Sequence, residues 1–316
     1  MTISDAAELL LAEDEFLILT HRRPDGDTIG SAAALCRTLK ACGKTAYLFP
    51  NEEFTPKYAF LYKELVAPEG FRPRQIVAVD IAATQLLPDS AAAYENEIYL
   101  SLDHHGSNTS FARNVLTQPR RSATGELIWD LALALSVAPD RKIAEAVYVA
   151  IATDTGCFCY PNTTPRCHEI AARAIELGVP FGVLNKLFFE TKTKGRFFIE
   201  RYLFGNLRFS ESKRIAGVVI SQRQIAECGA TPDDMDNLSS LPRQIEGIEC
   251  SITLTELEAG GYKGSVRTGP LIDASALCGH FGGGGHPRAA GFTTDGGAEE
   301  ALALLMQLAE QELAHA

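Results

Sequence analysis

Short apolar runs, each closed by a polar or acidic residue, set the rhythm of the first hundred positions. Residues 4–13 place apolar and acidic side chains at helical spacing and predict a short amphipathic helix. Phe16-Leu17-Ile18-Leu19-Thr20 is a continuous run of strand length. It ends in the loop chemistry of His21-Arg22-Arg23-Pro24-Asp25-Gly26-Asp27. Asp27 or Thr28 is suited to cap the helix that follows as far as Cys42, and Gly43 is placed to stop it. Lys44–Phe49 reads as a second strand and residues 56–66 as helix. Ile76-Val77-Ala78-Val79 is a strand closed by Asp80, and Glu97–Leu102 is one closed by Asp103-His104-His105.

From about Ser122 the period changes to that of helices, over 123–136, 140–153 and 165–177. The stretch 181–204 reads as one further helix, with Lys186, Lys192, Lys194 and Arg196 along it, and serves as a connector. Strands return at Ile215–Ile220, Ile248–Leu257 and Gly261–Thr268. Asp273–Phe281 is a helix leading into Gly282-Gly283-Gly284-Gly285-His286, and Ala298–Ala314 closes the chain. Strands alternating with helices predict an α/β domain with a mostly parallel sheet and flanking helices. A smaller α+β domain follows it. At 316 residues the chain is long enough for both. The expected layout is 1–190, a connector over 191–212, and 213–316.

Composition narrows the function. Hydrophobic residues make up 46% and charged residues 22%, as in ordinary globular proteins. No apolar run approaches the roughly 20 residues of a membrane helix. The first Lys or Arg is Arg22, after Asp5, Glu8, Glu13 and Asp14, which is the wrong chemistry for an export signal, so a cytoplasmic protein with no membrane partner is expected. The net charge of −11 argues against gripping long duplex DNA, and leaves small anionic substrates open. Eight cysteines occur without a CxxC pair, so reduced thiols are expected, the closely spaced Cys157 and Cys159 included.

The acids and imidazoles fall at informative places. His21, Asp80 and Asp103-His104-His105 each follow a short apolar strand, and ligands of open α/β sheets bind at the carboxyl ends of strands. Asp25 and Asp27 lie in the first of these loops, and Asp154 ends an apolar helix. Each has an ordinary structural reading as a turn or cap residue. On an extended backbone the adjacent His104 and His105 should point to opposite sides. Taken jointly, four carboxylates and two imidazoles suit two divalent ions with one carboxylate bridging. Oxygen and nitrogen donors without thiolate favour Mn²⁺, with Mg²⁺ or Co²⁺ as substitutes. Two metals about 3.5–4 Å apart are the usual arrangement for hydrolysing a phosphate ester, a water between them losing its proton to become the attacking hydroxide.

His21 through Ser31, Val79-Asp80, Leu102-Asp103-His104-His105-Gly106-Ser107-Asn108 and Ala152-Thr153-Asp154-Thr155-Gly156 resemble the four ordered motifs of the DHH phosphoesterase family. Ser265-Val266-Arg267 and Phe281 through Gly291 resemble the associated C-terminal DHHA1 domain. Size and layout are most similar to the stand-alone bacterial oligoribonucleases that also remove the 3′-phosphate of pAp. The resemblance implies that one metal takes His21, Asp25 and Asp80. A second would take Asp27, His104 and Asp154, with Asp80 bridging. It implies a role for His105 beside the substrate phosphate, with Asp103 orienting an imidazole, and a possible homodimer. Some relatives carry an Arg shortly after the second-motif Asp, where this chain has Ile81-Ala82-Ala83-Thr84-Gln85. Gly282, Gly283, Gly284 and Gly285, with His286, Arg288 and Arg267, would form a substrate clamp, because consecutive glycines let backbone N–H groups approach an anion. The active site would then lie in the cleft between the two domains. The expected substrates are short RNA oligonucleotides or small nucleotides. Cyclic di-AMP or pApA hydrolysis, a family II-type pyrophosphatase and a non-catalytic nucleotide sensor are the alternatives.

Overall fold

Five short strands, β1 (Phe16–Leu19), β2 (Ala46–Leu48), β3 (Gln75–Val79), β4 (Ile98–Asp103) and β5 (Asn114–Thr117), pair in the order β2-β1-β3-β4-β5. The coordinates are a computed structural model that describes residues 1–315. Every pairing in this sheet is parallel, so all five carboxyl ends share one edge. Period-two alternation divides the buried side chains between its faces. Phe16 and Ile18 join one core with Val77, Val79, Leu100 and Leu102. Leu17 and Leu19 join another with Ile76, Ala78 and Ile98.

The helices of this unit are α1 (Ile3–Ala12), α2 (Gly26–Ala41), the single turn α3 (Ala59–Tyr62), α4 (Thr124–Ala134), α5 (Arg141–Asp154), α6 (Pro165–Glu176) and α7 (Phe181–Asn185). Thr2 and Asp5 make a reciprocal cap at the start of α1. The helices α2 and α5 approach to backbone contact at Gly30, where a Cβ would fall 2.4 Å from the Ala146 carbonyl oxygen. The same crossing sets Gly26, in the first turn of α2, against the Thr153 side chain in the last turn of α5.

Several elements depart from the sequence expectation. The helix over 56–66 is reduced to a 3-10 turn at Pro56–Tyr58 followed by α3. The edge strand β5 went unanticipated, because only Leu116 of its four residues is buried and no alternation marks it. The helix over 181–204 is broken. After α7 the chain widens into a π-turn at Lys186–Glu190, leaves the helix at Thr191, and restarts as α8 (Lys194–Gly205). Thr193 caps the new helix, its hydroxyl accepting from the Arg196 N–H at 2.8 Å, and a cap competes with helix continuation at that point.

The chain divides at this break into two compact units, Met1–Thr191 and the residues from Lys192 onward. In the second unit α8 is followed by β6 (Arg208–Phe209), β7 (Ile215–Ile220), α9 (Gln222–Cys228), β8 (Cys250–Glu256), β9 (Tyr262–Thr268), α10 (Ala274–Gly279), β10 (Gly284–His286), β11 (Ala289–Thr294) and α11 (Ala298–His315). The six strands form one mixed sheet in the order β10-β11-β9-β8-β7-β6, with β7 and β8 parallel and the other pairs antiparallel. Ile252, Leu254 and Val266 pack with Leu277 of α10 and with Leu302 and Leu305 of α11. Val218 and Ile220 pack with Ile199 and Leu203 of α8. All eight cysteines are free. Among the described residues no helix is long and apolar enough to cross a membrane.

Candidate metal centre

Asp25, rather than Asp27 or Thr28, caps α2. Its Oδ1 accepts from the Asp27 N–H at 3.0 Å and the Thr28 N–H at 3.1 Å. The helix begins at least two positions earlier than the spacing suggested, so Asp27 falls in its first turn and faces inward. The Asp27 carboxylate is 2% exposed and accepts from the Thr124 N–H at 2.7 Å, the Gly125 N–H at 3.0 Å and the Ser31 hydroxyl at 2.8 Å. Thr124 and Gly125 open α4, so the unpaired amides of that helix end orient the carboxylate. Thr28 instead ties α2 to β3, its hydroxyl donating to the Val79 carbonyl at 3.0 Å.

Asp80 follows β3 with φ +60°, a left-handed conformation that Asp tolerates better than most residues. Its N–H still donates to the Leu102 carbonyl at 2.9 Å, while its side chain turns into the site and accepts from the Thr124 hydroxyl at 2.8 Å. Asp154 is the last residue of α5, and Asn162 donates to its backbone carbonyl at 3.1 Å.

The imidazoles are aimed by their second nitrogens. His21 Nδ1–H donates to the Arg22 carbonyl at 2.7 Å, and His104 Nδ1–H to the Arg121 carbonyl at 3.1 Å. Both Nε2 lone pairs are thereby presented to the carboxylates, the usual way a protein sets the tautomer of a metal-binding histidine. His21 Nε2 lies 3.7 Å from Asp25 and 3.9 Å from Asp80. His104 Nε2 lies 3.7 Å from Asp27, 3.8 Å from Asp80 and 3.7 Å from Asp154. These separations are too long for hydrogen bonds. They suit donor atoms that would each lie about 2.0–2.2 Å from a shared ion. His104 Nε2 is also buried without a hydrogen-bond partner, a costly state that an ion would relieve. Two sets of donors therefore converge within 4.8 Å, His21-Asp25-Asp80 and Asp27-His104-Asp154. The residues fit a pair of cations sharing Asp80.

His104 and His105 do not diverge as expected of an extended backbone. The strand ends at Asp103 and the chain turns, leaving the two rings 4.5 Å apart and both facing Asp80. A third convergence, Asp80-His104-His105, follows from that turn. The His105 Nδ1, however, is engaged by Asp103 at 2.8 Å, and Asp103 is fixed in turn by the Asn108 amide at 2.7 Å. The hydrogen bond to Asp103 outweighs partial burial and pushes His105 up to about 9. Burial opposes ionisation of Asp103, but its bonds from His105 and Asn108 hold it below the usual carboxylate range.

In the ion-free protein the acids repel one another. Burial and then the charge of Asp25 push Asp80 up to about 7, burial and then Asp80 raise Asp27 well above the usual range, and burial raises Asp154. Burial works against a charged His21, yet its contact with Asp25 lifts it to about 8. All four groups bind protons more tightly folded than unfolded. Their contribution to stability is complete below the unfolded values, about 3.8 for the acids and 6.5 for His21. It is lost as pH rises through about 7 for Asp80 and about 8 for His21. Chelator-treated protein should melt at a lower temperature near pH 8.5 than near pH 6. Added Mn²⁺ should raise the melting temperature more at the higher pH. Equal Mn²⁺ shifts at both values in scanning calorimetry would show that these groups do not form the ion site.

The remaining expected site residues lie in the second unit. Arg267 is on β9, half-buried, with one Nη donating to the Val266 carbonyl at 3.1 Å. Gly284, Gly285 and His286 form β10, at the edge of the sheet, preceded by Gly282 and Gly283. Arg288 donates to the carbonyls of Ile272, at 2.8 Å, and of Gly269, so its guanidinium braces its own fold. Among the partners that sequence reasoning missed, Asn51 donates to the His21 carbonyl at 3.0 Å and Thr124 bonds both Asp27 and Asp80. Asn108 lay inside a recognised motif, but nothing in the chain pattern links Thr124 to an acid 97 positions away.

Fold and site together describe a two-domain α/β protein whose parallel sheet presents an imidazole–carboxylate centre at its strand ends. The family model of the DHH family, N-terminal domain, matches residues 15–151, and that of the DHHA1 domain matches residues 215–315. A protein of Thermus thermophilus named bifunctional oligoribonuclease and PAP phosphatase NrnA is 31% identical, over 98% of this chain and 94% of its own length. The chain belongs to the DHH family. Among solved structures, an exopolyphosphatase-related protein from Bacteroides fragilis superposes with a TM-score of 0.86 at 21% identity, covering 99% of this chain and 97% of that one. RecJ from Thermus thermophilus in complex with Mn²⁺ shares the fold with a TM-score of 0.55 at 16% identity, over 99% of this chain and 55% of RecJ.

Proposed function

We propose that the protein is a metal-dependent phosphoesterase that hydrolyses short oligoribonucleotides and the 3′-phosphate of pAp. The near full-length likeness to a relative named for those two activities carries this reading. His21, Asp25 and Asp80 would hold one divalent ion and Asp27, His104 and Asp154 a second, with Asp80 shared. The oxygen and nitrogen donor set suits Mn²⁺, the ion in the related RecJ structure, with Mg²⁺ or Co²⁺ as substitutes. When bound, such a pair polarises a phosphate ester and lowers the pKa of water. The side chains do the rest. Protonated His105 faces the centre and supplies a proton to the leaving oxygen or stabilises the phosphoryl oxygens. Asp103 keeps it charged and oriented, and the amides of Thr124 and Gly125 hold Asp27 in place. A net charge of −11 suits small nucleotides better than a long duplex.

The test is a comparison of kcat/KM for the Mn²⁺-loaded protein on RNAs from dinucleotide to two dozen nucleotides, pAp, pApA, cyclic di-AMP and pyrophosphate. Short RNA and pAp should lead, and activity should vanish with chelator. Preference for cyclic di-AMP would favour the cyclic-dinucleotide reading, and full turnover by rigorously metal-free protein would sink both.

Arg267 would grip a phosphate remote from the scissile one, since its planar fork reaches two oxygens at once. Arg267→Ala should weaken kcat/KM on pAp by about 2–4 kcal/mol. Bis-p-nitrophenyl phosphate, which lacks the remote phosphate, should lose much less. Equal losses, with metal content verified, would place Arg267 at the scissile phosphate instead.

A further inference from the structure

The turn that follows Asp154 has three successive residues in the left-handed region, Gly156, Cys157 and Phe158, at φ +55°, +56° and +65°. Non-glycine residues enter that region rarely, and only where surrounding bonds hold them. Here the Cys157 N–H donates to the Ala152 carbonyl at 2.7 Å, and the Cys159 and Tyr160 N–H groups both donate to the Thr155 carbonyl at 2.9 Å. The result separates two aromatic rings. Phe158 turns inward, stacked on His168 at 4.9 Å and close to Tyr148 at 6.2 Å. Tyr160 turns outward and is 57% exposed.

The Tyr160 ring is nevertheless supported. It lies over the backbone of Gly156, where an added Cβ would fall 2.4 Å from Tyr160 Cζ. Gly156 is two residues beyond Asp154. Asn162, two residues beyond Tyr160, closes the loop back on Asp154 and on the Ser122 carbonyl, both at 3.1 Å. One face of the ring rests on the chain beside the candidate centre, and the ring keeps most of its surface open to solvent. A flat ring held in this way takes the face of any nucleobase with little ordering cost.

We infer that Tyr160 is the stacking platform for the nucleobase adjoining the scissile phosphate, and so a specificity-determining residue for base-bearing substrates. The inference rests on the phosphoesterase reading and adds to it the way a nucleotide is told from a bare sugar phosphate. The packing role is already filled by Phe158, which leaves the exposed ring for a ligand.

The experiment compares Tyr160→Ala, Tyr160→Phe and unaltered Mn²⁺-loaded protein on pAp and on ribose 3′,5′-bisphosphate, which has the same phosphates and no base. A parallel measurement follows the fluorescence quenching of a 2-aminopurine dinucleotide on binding. Tyr160→Ala should raise KM for pAp about tenfold or more, the scale of losing one base–aromatic stack, with kcat unchanged. KM for the base-free substrate should stay as it was, Tyr160→Phe should behave as the unaltered protein, and quenching should persist in the Phe variant and disappear in the Ala variant. An unchanged KM for pAp, or an equal rise for both substrates, overturns the role of Tyr160 while the phosphoesterase reading stands. If no phosphate ester is turned over by the unaltered protein, that reading fails, and quenching that survives in Tyr160→Ala then overturns the platform on its own.

Discussion

Asp80→Ala is expected to lower turnover by more than about 10³-fold and to abolish tight binding of both ions. Loss of a partner one step removed from a metal typically costs about 10–100-fold, and Asp80 faces both donor sets directly. Its carboxylate lies 3.9 Å from His21 Nε2 and 3.8 Å from His104 Nε2, and it is 3% exposed. A merely structural residue would reveal itself through stability, and here the expectation runs the other way. In the ion-free protein Asp80 sits among like charges, so its neutralisation in Asp80→Asn should leave the chelated protein as stable as before or more so. Asp80→Asn is the companion variant, because Asn also tolerates the left-handed backbone at this position and can accept from Thr124. Both variants should fail to take up two ions in calorimetric titration. Retention of two bound ions and most of the activity by either would show that Asp80 is not the shared ligand.

His105→Ala is expected to keep both ions and to lose about 10²–10⁴-fold in kcat, the range for removing a general acid. The hydrogen bond to Asp103 commits Nδ1 and lifts the pKa to about 9, so the ring is charged at neutral pH and the acid form disappears as pH rises through that value. The kcat–pH profile should therefore show a basic limb set by loss of the His105 proton. Asp103→Asn removes the charge that raises His105, and should draw the same limb down toward ordinary histidine values while metal content stays constant. A basic limb that does not move in Asp103→Asn would assign it to another group. Loss of an ion in His105→Ala would make the Asp80-His104-His105 convergence the true ligand set.

The amino-acid sequence by itself determined the alternation of strands and helices and which residues end the strands. Apolar runs of four to six residues must be buried on both faces of a parallel sheet, and the polar residues that stop them are then delivered to one edge. His21, Asp80 and Asp103-His104-His105 were legible for that reason, and Asp25, Asp27 and Asp154 through the ordered motifs. The short second-unit strands β6 and β10 were not, since glycine and exposed residues there carry no period, and β11 was not, since only Ala290 and Phe292 of its six residues are buried. Tertiary structure alone decided which side chains converge. The crossing of α2 and α5 at Gly30 brings Asp27 toward Asp154, and the free amides of α4 reach Asp27 across 97 positions. The turn after β4 makes His104 and His105 share a side when an extended chain would have parted them. Hydrogen bonds to the Arg22 and Arg121 carbonyls and to Asp103 decide which nitrogen of each ring is free. Local sequence dictates backbone propensity and burial over a few residues, whereas these contacts depend on distances between elements that only the packed core sets.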